Sequence, residues 1–97
     1  MTVTLNLIWK PYADLIFGPA YELVGLPANS DDWSASAHRR TCNDGVSYFA
    51  HAYINGRYMS HNAKTMQTAI KRLNTEIDRR SIGLFGVDDI AFEVRKS

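Results

Sequence analysis

The sequence predicts an α+β fold: an antiparallel sheet, made of a three-stranded meander plus terminal strands, with one main amphipathic helix packed on one face. Three observations carry this expectation. The run from Trp33 to His61 is punctuated by Asp44-Gly45 and Asn55-Gly56, dipeptides that suit tight hairpins because their residues tolerate positive φ. Met66, Ala69, Ile70, Leu73 and Ile77 recur at the three-and-four spacing of one helical stripe. Near both ends, apolar and polar residues alternate as they do in half-buried strands.

Thr2 to Trp9 places Val3, Leu5, Leu7 and Trp9 on one side and Thr4, Asn6 and Ile8 on the other, which predicts a first strand. Pro11 suits the first turn of a helix, where its missing N–H costs nothing, so Tyr12 to Phe17 is expected as a short helix stopped by Gly18-Pro19. Ala20 to Val24 fits either a second short turn or a strand. Ala28 to Asp32 is a polar loop; Ser30 followed by Asp31, Asp32 and Trp33 equally suits the cap of a helix running to His38, an alternative that would remove the meander.

With both dipeptides as two-residue loops, Ile54 faces Arg57, Ala52 faces Met59 and Ala50 faces His61. On the other hairpin Asn43 faces Val46, Arg39 faces Ala50, Ala37 faces Ala52 and His38 falls opposite His51. Thr65 is the expected N-cap of the helix that follows. Its outer side reads as a solvated face, because Glu76 sits four residues from both Arg72 and Arg80. Gly83 and Gly86 should break the chain before a closing strand in which Ile90, Phe92 and Val94 alternate with Ala91, Glu93 and Arg95.

A chain of 97 residues with 45% hydrophobic and 22% charged residues is expected to form a single domain over 1–97, with a core that needs no metal or disulfide. The net charge of +1 is too small to hold DNA by bulk electrostatics and leaves room only for a local basic patch. Cys42 is the lone cysteine, so no intramolecular disulfide can form and cytoplasmic residence is expected. Met1 to Trp9 has neither a basic leader nor a long apolar run, which argues against a signal peptide or membrane span.

The meander's two faces differ chemically. One carries Trp33, Ala35, Ala37, Val46, Tyr48, Ala50, Ala52, Ile54 and Met59, and the small alanines would let the helix approach closely. The other carries Ser36, His38, Arg40, Phe49, His51, Tyr53, Tyr58 and Ser60, with no acid among them although the chain has ten. Tyrosine combines a rigid apolar ring with a hydroxyl, and arginine offers a planar fork to carboxylate or phosphate. The candidate partner-binding residues are therefore Arg40, Phe49, His51, Tyr53, Tyr58 and His38, with Arg57 adding charge at the rim. Two adjacent histidines would repel when protonated, so binding through this face should weaken at mildly acidic pH.

No cofactor and no enzymatic activity are expected. His38, His51 and Cys42 share a face, but their spacing does not suit tetrahedral zinc. Cys42 or Ser60 with His51 as base would lack a third group to orient the imidazole. Asp31, Asp32, Asp44, Asp88 and Asp89 would imitate phosphates if their loops converged at one end of the sheet.

The segment GVSYFAHAYINGRYMSHNAKTMQTAIKRLNTEI, residues 45–77, resembles the arm-type DNA-binding domains of phage tyrosine integrases in its aromatic strand, its Asn55-Gly56 hairpin, its Lys64-Thr65 helix start and its Ala69 and Leu73. That resemblance implies that the exposed face of a three-stranded sheet lies in a DNA groove, with Arg40, His51, Tyr53 and Tyr58 in contact. The Pro19 to Val24 segment, followed by sheet and helix, resembles the layout of double-stranded-RNA-binding domains, with Met66 and Gln67 where those carry phosphate-gripping lysines. In style, a small ββα-containing chain of near-neutral charge also resembles the anti-CRISPR proteins of phages and mobile elements. This implies a non-enzymatic inhibitor that occupies a protein surface of a host nucleic-acid-handling complex, acts in the host cytoplasm and touches no membrane.

Overall fold

The computed structural model describes residues 4–14, 18–25, 33–87 and 89–95. Along the chain run β1 (Thr4–Asp14), β2 (Gly18–Val24), β3 (Trp33–Cys42), β4 (Gly45–Ile54), β5 (Arg57–Ala63), α1 (Met66–Arg79), α2 (Ser81–Phe85) and β6 (Asp89–Val94). They build one six-stranded sheet in the order β5-β4-β3-β2-β1-β6. From β1 to β5 each strand pairs antiparallel with the one before it, while β6 joins β1 in parallel. The sheet is therefore mixed and not purely antiparallel. The helices carry the chain from the β5 edge to the β1 edge, and a crossover of that kind delivers the next strand pointing the same way.

The Asn55-Gly56 turn forms as expected: Asn55 has φ 50° and Gly56 φ 81°, the double positive-φ geometry of a type I′ hairpin. Its register follows, with Ile54 opposite Arg57, Ala52 opposite Met59 and Ala50 opposite His61. The other hairpin is corrected. Its turn residues are Asn43 and Asp44, and Gly45 follows at φ 123°, so Cys42 pairs with Gly45, Arg39 with Tyr48, Ala37 with Ala50 and His38 with Phe49. A type I turn followed by a glycine absorbs the positive φ one residue later than a primed turn does. Each partner moves by two residues, an even step, so the division of side chains between the faces is unchanged.

Further expectations are revised upstream. Tyr12 to Asp14 continue β1 and are not helical, while the rest of the expected short helix, 15–17, lies outside the described residues. Among the described residues β6 pairs with β1 as far as Trp9, short of Pro11, whose missing N–H therefore removes no described bond to β6. Ala20 to Val24 is strand, and β3 excludes the alternative helix ending at His38. Residues 26–32, which include the expected polar loop, lie outside the described residues, as do Thr2, Val3 and the Trp33 and Cys42 side chains.

The alanines do what their size predicts: Ala35, Ala37, Ala50 and Ala52 are buried beneath α1, which sets Ala69, Ile70, Leu73 and Ile77 against them. Thr65 caps the helix, accepting from the Thr68 N–H at 3.2 Å. Val46, assigned to the core face, is exposed because it lies on the hairpin beyond the helix, and Tyr48 is half-buried at the core's margin. Gly83 lies inside α2, and it is Gly86, at φ 70°, that ends it.

The sheet curls around α1, which touches β3, β4 and β5 and also β6 at the opposite edge. Trp9, fully buried, donates its indole N–H to Asn74 Oδ1 at 2.7 Å and ties β1 to the same helix. The helix thus occupies the concave side. No described element packs on the convex side, and no helix among the described residues is long and apolar enough to cross a membrane.

Candidate recognition surface

Strand alternation sends Ser36, His38 and Arg40 of β3, Phe49, His51 and Tyr53 of β4, and Tyr58 and Ser60 of β5 to the convex face. Their rings interlock across three strands. Phe49 and His51 stack at 5.2 Å between centroids, with planes 27° apart, and Tyr58 continues the row 6.4 Å from His51. At the other end the Arg40 guanidinium carbon lies 5.9 Å from the centre of the Phe49 ring, within reach of a cation–π attraction. His38 stands edge-on to both Phe49 and His51, at 5.7 Å and 5.8 Å.

The two histidines are diagonal neighbours and not directly opposed, because His51 pairs with Ser36. Ser36 Oγ and His51 Nε2 share a 2.8 Å hydrogen bond. Burial, with the neighbouring His38 as the lesser cause, holds the His51 pKa below the usual histidine value, which favours the neutral ring. A serine within hydrogen-bond reach of a neutral imidazole has the outline of a nucleophile and base. Yet Ser36, His38, Phe49 and Tyr58 surround the ring, and none is a carboxylate that would orient it for proton abstraction. Ser60, the serine first considered, pairs with His51 across the ladder, but the hydrogen bond is made by Ser36.

Tyr58 is 62% and Tyr53 43% exposed, so the outer part of the patch presents ring faces and hydroxyls to solvent while Phe49 and His51 form its half-buried floor. Arg57 is the expected site residue that the structure moves elsewhere. It pairs with buried Ile54 and lines a shallow cavity of about 220 Å³ with Arg79, Arg80 and Leu84 on the helix side. Beyond the patch the same face gains charge of both signs: Glu22 of β2 pairs with Ser36, and Lys10 pairs with Glu22. The acid-free character therefore belongs to β3, β4 and β5, not to the whole sheet.

Described pairing of β3 with β2 ends at His38, and of β4 with β5 at Tyr48, ahead of the β3–β4 hairpin tip. Asp44 sits at this tip. Asp89 lies at the start of β6 beside Thr4, whose hydroxyl donates to it at 2.8 Å, at the opposite end of the sheet. Those two acids do not converge, while Asp31, Asp32 and Asp88 lie outside the described residues. Among the described residues no group of three His, Cys, Asp or Glu side chains comes together to hold a metal.

Sequence reasoning overlooked the Ser36–His51 bond, and it also read the outer face of α1 as merely solvated. There His61 Nε2 meets Glu76 Oε1 at 2.6 Å and Arg80 meets the other carboxylate oxygen at 3.1 Å. Around them runs a cationic groove whose signal in the sequence was the recurrence of basic residues along one helical stripe. Comparison with protein-family models, curated proteins and solved structures finds no match to this chain.

Proposed function

We propose that this chain is a non-enzymatic binding protein that docks the convex β3–β5 face onto a protein surface of a nucleic-acid-handling complex and inhibits it by occupancy, in the manner of small phage or mobile-element proteins of anti-CRISPR type. The observation that carries the reading is the row Arg40–Phe49–His51–Tyr58, an aromatic and cationic patch without acids on a sheet face that no described element covers. Stable interfaces concentrate their energy in such residues, which combine large rigid area with directed polar tips. The complementary partner surface is apolar at its centre and carboxylate-bearing at its rim, facing Arg40. The β3–β5 patch already has its rings fixed against one another, so little side-chain entropy is lost on docking.

The convex shape favours a second reading. A three-stranded sheet bulging outward has the form that enters a DNA major groove, and Tyr58 and Arg40 would contact bases and phosphates there. Capture from host lysate with and without nuclease distinguishes the two. A partner that survives nuclease and is lost with Tyr53→Ala and Tyr58→Ala supports the inhibitor. A partner lost on nuclease treatment supports the DNA-binding accessory protein.

A further inference from the structure

We infer that the outer groove of α1 is a second, separate binding site that takes the phosphate backbone of a nucleic acid strand. The observation is independent of the aromatic face. Of the chain's 11 Lys and Arg residues, six lie between 57 and 80, against two of its 10 Asp and Glu residues, so a chain of net charge +1 is strongly polarised toward one side. Folding concentrates that charge further. Lys71, Arg72, Arg79 and Arg80, with Thr68 and Thr75 between them, line an open groove of about 590 Å³ along α1 beside His61 of β5.

Glu76 is the one carboxylate in the groove, and His61 and Arg80 already hold both of its oxygens. Arg72 gives one N–H to the Asn62 carbonyl at 2.8 Å, which anchors its stem and leaves the rest of the fork exposed. Lys71 and Arg79 are exposed and form no salt bridge among the described residues. Arg79 and Arg80 also line the adjoining cavity that contains Arg57, so the cationic surface continues around the helix end.

Shape selects the ligand class. Thr68 to Arg79 is eleven residue steps, about 16 Å of helix at 1.5 Å per residue, which matches roughly five nucleotides at 3.4 Å of axis each. A linear array of guanidinium and ammonium groups with hydroxyls between them suits a run of phosphates better than one compact anion. Along the groove no large apolar side chain projects, as insertion into a lipid surface would require; exposed Ile82 stands past the end of α1.

The test is fluorescence-anisotropy titration of labelled random-sequence single-stranded and duplex oligonucleotides at about 50 and 150 mM salt. If four phosphates are neutralised, affinity should fall about 50-fold over that interval, and the Lys71→Gln/Arg79→Gln variant should lower the log–log salt slope by about 2. Lys10→Gln, on the opposite face of the sheet, should change neither. Tyr53→Ala/Tyr58→Ala should leave oligonucleotide binding intact, which separates this site from the convex face. No binding at 50 mM salt, an unchanged slope in the Lys71/Arg79 variant, or binding to phosphatidylserine vesicles in place of oligonucleotides would overturn the inference.

Discussion

Ser36 Oγ lies 2.8 Å from His51 Nε2, a hydrogen bond that joins β3 to β4 in the middle of the convex face and holds the imidazole in register with the Phe49 ring. The bond lies beside a group whose folded pKa is depressed, chiefly by burial and then by His38. A depressed histidine pKa means that the unfolded chain takes up a proton more readily than the folded one. The contribution to stability is therefore full above the unfolded value of 6.5 and is lost as pH falls through the lower folded value.

Thermal melts at pH 7.5 and 5.0 should accordingly show the parent losing more stability on acidification than His51→Phe, which keeps a ring in the stack but cannot titrate. Equal losses in the two proteins would mean that His51 does not couple to folding. Partner binding through the same face should weaken over the same interval, since protonated His51 and His38 would stand 5.8 Å apart.

Leu73 and Ile70 lie in the middle of the stripe by which α1 meets the sheet, at 0% and 2% exposure. Leu73→Ala and Ile70→Ala should each destabilise the domain by about 2 to 5 kcal/mol in denaturant titrations, the range for truncation in a packed core. A mutant that unfolds at the parent's midpoint would show that the helix is not packed on the alanine face.

The stripe, the alanine face and the Asn55-Gly56 hairpin were legible in the sequence because each rests on local rules: helical period, strand alternation and a turn needing two positive φ values. The Asn43-Asp44-Gly45 turn was misplaced by one residue because its glycine serves equally well inside a primed turn or just after a type I turn. Alternation survived that error, so the chemistry of the two faces was read correctly while the His38–His51 pairing was not. What no local rule could supply was the direction of β6 and the curl of the sheet. Both depend on where α1 and α2 carry the chain, and so did the contact of Trp9 with Asn74, 65 residues apart. The cationic groove was missed because Glu76 looks like an answer to Arg72 in sequence, whereas in the fold it binds Arg80 and His61.

Asn74→Ala would leave the indole N–H of fully buried Trp9 without its acceptor. Stranding a buried donor costs about 1 to 3 kcal/mol, so the midpoint of unfolding should fall clearly, although Asn74 itself is only half-buried. Asn74→Asp, which retains an acceptor, should recover part of the loss. If alanine were as stable as the parent, the hydrogen bond would contribute nothing to holding β1 against α1.

Arg40 and Tyr53 test the convex face itself. Both are exposed, so their removal should leave circular dichroism and melting within about 0.5 kcal/mol of the parent. As interface anchors, Arg40→Ala and Tyr53→Ala should each weaken partner binding by about 2 kcal/mol or more. Salt then separates the kinds of partner. A protein interface centred on Phe49, His51 and the two tyrosines should retain its affinity at about 150 mM salt, since its energy lies in buried area and short-range contacts. Duplex DNA held by a few cations loses its counterion-release advantage over the same range, so random-sequence duplex held in the α1 groove should bind about 50-fold more weakly at about 150 mM than at about 50 mM salt, with or without Arg40→Ala and Tyr53→Ala. Tight duplex binding at about 150 mM salt that is abolished by Arg40→Ala and Tyr53→Ala would assign the convex face to DNA and displace the inhibitor reading.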